Sequence, residues 1–342
     1  MRFQSHPYDV PHAIVAEDLW RSFLTKGPLG SRRGAQIDAL KGVSLTVNRR
    51  EIFGLLGQNG AGKTTLIKIL TTLLAPTRGR ALVMGMDVIT DAARVRKVIN
   101  LVSGGEVSGY GLLTVRENLW MFSQFYGVPN KVANRRIDEL LEMVGLAERC
   151  NTKVRELSTG LRQKANLVRG LVSDPLVLFL DEPTLGLDVQ TSKDVRCFVK
   201  QWVKESEMGK TVLLTTHYMA EADEICDRVA IIHEGKILAV GTPGELKAIA
   251  SGGSRWKLVL EGGSADLGFI SSFRGTLSVA QERRDGRTCL DIILQEDRAI
   301  MGTLSALSDR GWEVRSVEKV EPTLEDVFLL LTGASAGEGV RS

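Results

Sequence analysis

The chain has 342 residues, 43% hydrophobic and 25% charged, a balance that supports two or three compact units and excludes a disordered or fibrous chain. A net charge of +3 is too small at this length to mark a nucleic-acid binder. The longest apolar runs, such as LVLFL at 176–180, fall far short of the roughly 20 residues that span a bilayer. The N-terminal MRFQSHPYDVPHAIV contains no uninterrupted apolar core of a secretory signal. Four cysteines (Cys150, Cys197, Cys226, Cys289) stand far apart without a C-x-x-C pair, which argues against a zinc cluster or a redox pair. They read as free thiols of a cytosolic protein.

Short β-type runs at 13–15 and 39–47 flank a Gly- and Arg-rich stretch, 27–34, predicted as an exposed hairpin loop. A strand at 52–56, a glycine-rich turn and a helix from Lys63 to about Leu73 follow, the opening of a parallel α/β unit. Residues 114–172 are mostly helical in pattern, as at 131–144. Then come a buried strand at 176–180, a helix near 189–204, and strands at 211–215 and 229–233, the last entering a hairpin at Glu234-Gly235-Lys236. Composition shifts at Ser251-Gly252-Gly253-Ser254, where a domain boundary is placed. The remainder reads β-β-β-α-β-α, with a hairpin over 275–295 turning at Asp285-Gly286. Ile300, Leu304 and Leu307 line one helix face, and Leu324, Val327, Phe328 and Leu331 line another, opened by the near-capping box Thr323–Asp326. No internal repeat is present, and the closing GASAGEGVRS is predicted to be disordered.

Gly57-Gln58-Asn59-Gly60-Ala61-Gly62-Lys63-Thr64 matches G-x-x-x-x-G-K-[ST] between the predicted strand and helix. Its glycines let successive backbone N–H groups turn toward phosphates, and the helix N-terminus adds partial positive charge. Lys63 is placed to reach the β- and γ-phosphates, and the Thr64 hydroxyl to ligate Mg²⁺. A phosphate cradle alone does not separate kinases, GTPases and motor ATPases.

Downstream lie Leu157-Ser158-Thr159-Gly160-Leu161, the apolar run ending in Asp181 and followed by Glu182, then Gly186-Leu187-Asp188 and His217. In that order they resemble the Walker A, signature, Walker B, D-loop and H-loop series of an ABC-type nucleotide-binding domain, over roughly residues 13–245. The resemblance implies an α/β P-loop cassette with a RecA-like core, an antiparallel β subdomain and a helical subdomain at about 95–170. The cassette would span 1–250, a small α/β accessory domain 251–332, and a disordered tail 333–342. It implies an ATPase whose ATP is gripped between two chains. Asp181, ending a buried strand, would hold Mg²⁺ through water, and Glu182, projecting differently, would polarise the attacking water. His217 would hydrogen-bond the γ-phosphate, with Thr65 joining Thr64 in the phosphate-binding turn. Ser158 and Gly160 would present a hydroxyl and backbone N–H groups to the nucleotide of a second subunit. Phe23 resembles the aromatic that stacks on adenine, with Trp20 as an alternative and a core role open for both.

An Asp-Glu pair is usually solvated surface charge, but five apolar residues precede this one, which predicts burial. His217 alone would be read as structural; its place after the Walker B neighbour strand favours function. Asp188 is either a D-loop contact or simply a helix N-cap.

Two departures stand out. Family members usually carry a glutamine near residue 105, whereas this chain reads Val102-Ser103-Gly104-Gly105-Glu106-Val107, with Gly105 at the usual position and Glu106 next to it; either takes the role, and Glu106 is the expected substitute beside Mg²⁺. Thr159 and Leu161 replace the usual signature glycine and glutamine.

The stretches 317–328 and 216–223 resemble ATPase subunits serving ABC-2-type exporters. That implies a separate integral membrane permease, a homodimer of this chain, no nucleic acid, and a place on the cytoplasmic face of the membrane. The accessory domain would either stabilise the dimer or regulate it. The run 112–126, with Trp120, Phe122, Phe125 and Tyr126, is either the floor of the permease-docking groove or ordinary core. The alternative class, a soluble ABC ATPase of translation or DNA repair, is disfavoured by the single cassette and the lack of a long heptad run.

Overall fold

The computed structural model describes residues 10–24, 36–104, 109–205, 209–250, 253–262, 267–273, 275–284 and 287–333. The loop expected at 27–34, Gly105 and Glu106, the Asp285-Gly286 turn and the tail from 334 lie outside the described residues. The chain divides into two compact units, Met1–Pro243 and Gly244–Ser342.

The first unit is built on two sheets. One is antiparallel, in the order β2-β1-β4-β5, from β1 (His12–Leu24), β2 (Gln36–Asn48), β4 (Arg78–Val83) and β5 (Met86–Asp87). β1 runs well past the short stretch expected from its apolar residues. Asp18 takes a positive φ of 46° and the pairing with β2 shifts register there, so a bulge carries the strand across a break in its alternation.

The second sheet has six strands in the order β10-β9-β3-β8-β7-β6. These are β3 (Ile52–Leu56), β6 (Ile99–Ser103), β7 (Val177–Asp181), β8 (Thr211–Thr216), β9 (Arg228–His233) and β10 (Lys236–Gly241). All pair in parallel except β10 on β9. β3 and β8 are buried from end to end, as continuous apolar strands covered on both faces must be. α1 (Lys63–Leu70) seals one side, with Leu66, Ile67 and Leu70 in a core shared with Ile14, Leu40, Val83 and Phe179. It ends before the expected Leu73, because Thr72 turns left-handed at φ 65° and leaves Leu73 65% exposed.

The short α2 (Ala92–Val95) leads into β6, and the described residues between β6 and β7 include α3 (Val115–Phe125), α4 (Asn130–Met143) and α5 (Thr159–Leu171). A capping box between Thr114 and Glu117 opens α3. α6 (Val189–Lys204) and α7 (Met219–Ile225) flank β8 in sequence. The second unit follows α8 (Pro243–Ala250) with a four-stranded antiparallel sheet, ordered β12-β13-β11-β14. Its strands are β11 (Ser254–Gly262), β12 (Thr276–Arg284), β13 (Arg287–Leu294) and β14 (Trp312–Val320). α9 (Ala299–Asp309) packs Ile300 and Leu307 onto Leu258, Leu290 and Ile292, and α10 (Leu324–Thr332) closes the chain behind a capping box at Thr323.

Candidate active site

In parallel α/β sheets, loops at the carboxyl ends of the strands form the binding crevice. Here those ends carry Gly57 after β3, Gly104 after β6, Asp181 and Glu182 at the end of β7, and His217 after β8. A pocket of about 360 Å³ opens there, lined by Asn59, Thr64, Gly104, Asp181 and Glu182 among others.

The loop from Gly57 to Gly62 wraps back on itself. Gly62 sits at φ 109° with its α-carbon facing the Ala39 carbonyl, where a β-carbon would come within 2.6 Å of that oxygen. Lys63, 4% exposed, donates from Nζ to Gly57 O at 2.7 Å and to Gln58 O at 3.2 Å. Its charge is met by Glu182 Oε1 at 3.4 Å. Thr64, exposed at the mouth of the pocket, donates from Oγ1 to Asp181 Oδ2 at 3.1 Å, and Thr65 is half-buried one residue on.

Asp181 and Glu182 are held from two sides. Gly104 N–H donates to Asp181 O at 2.7 Å, and Glu182 N–H donates to Thr215 O at 3.0 Å. Glu182 adopts φ 51°, a left-handed conformation that a non-glycine residue takes only where its surroundings impose it. The turn aims its carboxylate back over the phosphate loop, between Lys63 and His217. His217 Nδ1 stands 3.2 Å from Glu182 Oε2, within ion-pair reach but off the line of a hydrogen bond. That ring nitrogen is buried and has no hydrogen-bond partner in the described structure. The ring stacks on Tyr218 at 4.1 Å between centroids.

The other predicted residues lie elsewhere. Ser158 caps α5 by accepting from Leu161 N–H at 3.3 Å. Asp188 caps α6 by accepting from Thr191 N–H at 2.9 Å, and that bond holds its carboxyl below the usual carboxylate range. Gly160 faces the Thr191 side chain, so the start of α5 and the start of α6 meet. Gln163 Nε2 ties α5 to the Pro183 carbonyl at 2.9 Å, just beyond Glu182. Phe23 lies near the end of β1, opposite Ile37, 39% exposed beneath the Arg21 guanidinium at 4.7 Å. None of these residues lines the pocket at the strand ends. Glu106, expected beside a metal, falls outside the described residues.

Three participants went unread in the sequence. Gly104 has no room for a side chain: a β-carbon there would stand 1.8 Å from Glu182 O. Thr215 contacts both acidic residues. Buried Glu221 accepts from Thr184 Oγ1 at 2.9 Å beneath the turn that follows Glu182. Only Gly104 left a signal, as a glycine immediately after a strand.

Residues 40–185 match the family model described as ABC transporter. A daunorubicin resistance ATP-binding protein of Streptomyces coeruleorubidus is 40% identical over 86% of this chain and 91% of its own length. A linearmycin resistance ATP-binding protein of Bacillus subtilis is 33% identical over 86% of this chain and 93% of its own. Among solved structures, cbiO1 of Clostridium perfringens, part of an ABC transporter complex, superposes with a TM-score of 0.60 at 25% identity, covering 70% of this chain and 92% of that one.

Proposed function

The chain belongs to the ABC transporter family as an ATP-binding, ATP-hydrolysing subunit, and from that premise we propose that it drives export of a drug-like compound through a separate ABC-2-type permease. One observation carries the hydrolytic part of the reading: Glu182 is turned over the Gly57–Gly62 loop between Lys63 and His217, beside an Asp181–Thr64 oxygen pair. The relatives named for daunorubicin and linearmycin resistance support the substrate class.

In this proposal the backbone N–H groups from Gly57 to Thr64, reinforced by the start of α1, hold the phosphates of ATP. Lys63 exchanges its bonds to Gly57 O and Gln58 O for phosphate oxygens. Thr64 and Asp181 offer hard oxygen donors of the kind Mg²⁺ prefers. Phosphate and water oxygens would supply further ligands, with Glu106 the residue expected beside them from the sequence. When bound, Mg²⁺ neutralises charge on the β- and γ-phosphates. Glu182 accepts the proton of the attacking water, and His217, within ion-pair reach of that carboxylate, is placed to hydrogen-bond the γ-phosphate.

Ser158 and Gly160 sit with Asp188 and Thr191, apart from the pocket of their own chain. A second copy placed head to tail would bring them onto the ATP held by the first, with Phe23 available for the adenine. Mixing Lys63→Ala chains with Ser158→Arg chains tests this arrangement. Each parent alone lacks two complete sites, whereas the mixed dimer regains one, so hydrolysis should rise well above either parent. A mixture as inactive as its parents refutes the shared site.

No described helix is long and apolar enough to cross a membrane, so in this reading the pathway belongs to the partner. Trp120, Phe125 and Tyr126 are 43%, 70% and 45% exposed on and just after α3, and Phe122 packs edge-on to Phe125. Large aromatics left outside the core favour a docking surface over the core role, and we assign the permease contact to them.

A further inference from the structure

Thr215 is fully buried on β8, directly opposite Asp181 in the parallel pairing of β7 and β8. Its hydroxyl makes two bonds at once. It donates to Asp181 Oδ1 at 2.5 Å and accepts from Glu182 N–H at 3.2 Å, while its carbonyl accepts from the same amide at 3.0 Å. A threonine hydroxyl has one proton and two lone pairs, so this arrangement spends the proton on a carboxylate and a lone pair on an amide. Donation to a carboxylate is the stronger kind of hydrogen bond.

The two contacts act on different groups. Clamping Oδ1 stops the Asp181 carboxylate from rotating and leaves Oδ2 facing Thr64 Oγ1 at 3.1 Å. Accepting from the Glu182 amide helps hold a residue at φ 51°, a conformation its own side chain disfavours. Valine has nearly the same branched shape, with a methyl group in place of the hydroxyl, but can make neither bond. The hydroxyl therefore has a role that packing does not explain.

We propose that Thr215 is a positioning residue for ATP hydrolysis, its single hydroxyl setting the orientation of the metal-side carboxylate of Asp181 and of the water-activating Glu182 together. This presupposes the roles given above to Asp181 and Glu182.

The test uses the full chain and compares Thr215→Val, Thr215→Ala and Thr215→Ser with wild type and with Asp181→Asn. Turnover, KM for ATP, and the Mg²⁺ concentration giving half-maximal rate are measured, with a thermal melt for each variant. Loss of an outer partner of a metal ligand costs about 10–100-fold in affinity or activity. Thr215→Val is expected to lose that much turnover and to need more Mg²⁺, with KM for ATP little changed. Thr215→Ala should do the same if the valine variant fails to fold, and Thr215→Ser should recover most of both properties. Wild-type turnover and Mg²⁺ dependence in a folded Val or Ala variant overturns the role, as does a Ser variant no better than Val. If Asp181→Asn itself keeps wild-type Mg²⁺ dependence, the underlying assignment of Asp181 fails instead, whatever Thr215 does.

Discussion

Adding one methyl group at Gly104 should damage the site more than its size suggests. The β-carbon of Gly104→Ala would meet the Glu182 carbonyl oxygen at 1.8 Å, and the Asp181 carbonyl oxygen lies 3.4 Å away. Neither atom is the end of a flexible side chain, so backbone must move, by roughly 1.5 Å to reach van der Waals contact. The ends of β6 and β7 are joined there by the Gly104 N–H bond to Asp181 O at 2.7 Å. Losing that bond costs about 1 kcal/mol. Overpacking adds about 1–3 kcal/mol, for a total of about 2–4 kcal/mol. For a unit of this size each kcal/mol lowers Tm by about 2–4 °C, so a fall of roughly 5–15 °C is expected in a thermal melt. Catalysis should suffer further, because a displacement of about 1 Å at a reacting group can cost about 100-fold in rate. The variant should therefore hydrolyse ATP far more slowly even at temperatures where it stays folded. A Tm and a rate both equal to wild type would refute the close contact between β6 and Glu182.

Burial pushes the Glu221 carboxyl above its ordinary value near 4.5, against hydrogen bonds from Thr216 and Thr184 and the charges of Arg196 and His217. As pH rises past 4.5 the unfolded chain loses that proton before the folded one does, so this group lowers folding stability until the folded carboxyl ionises, and the loss is constant above that point. Glu221→Gln should accordingly gain stability relative to wild type between pH 4 and 8; chemical denaturation across that range checks it, and a constant difference contradicts it. Lys210, almost fully buried, donates to Asp174 Oδ1 at 2.5 Å. Asp174→Ala takes the carboxylate from that ammonium, leaving it the residue-174 carbonyl at 3.1 Å, and from Arg136, and should cost about 2–3 kcal/mol by urea unfolding, a discount for the part-exposed carboxylate. Phe125→Ala, removing a side chain 70% exposed, should leave basal hydrolysis unchanged and weaken co-purification with the membrane partner; loss of hydrolysis together with binding would place Phe125 in the fold instead.

The phosphate loop was legible because its requirements are local: glycines, a lysine and a hydroxyl between a strand and a helix. The buried strands around it were legible for the same reason, since β3 and β7 are apolar runs that alternation does not interrupt. Gly104, Thr215 and Glu221 were not, because each acts through residues far away in the chain that only the sheet brings alongside. A threonine inside Thr211–Thr216 looks like strand propensity until its neighbour proves to be a carboxylate. The end of α1 was overrun because the apolar pattern continues into Leu73 and Leu74, while the left-handed Thr72 that stops it carries no glycine to announce the turn. The aromatics of α3 show the opposite case: composition alone leaned toward core, whereas Trp120, Phe125 and Tyr126 stand outside it.

The central claim is that Glu182 drives hydrolysis of ATP held by this chain. Phosphate release should be measured on the purified protein with ATP and Mg²⁺, for wild type and for Glu182→Gln, alongside nucleotide binding. Loss of a general base costs about 100-fold or more in rate. The account predicts that wild type turns over, that the variant slows by at least that factor, and that both bind ATP. Equal rates in the two proteins, or no turnover by wild type, would contradict it.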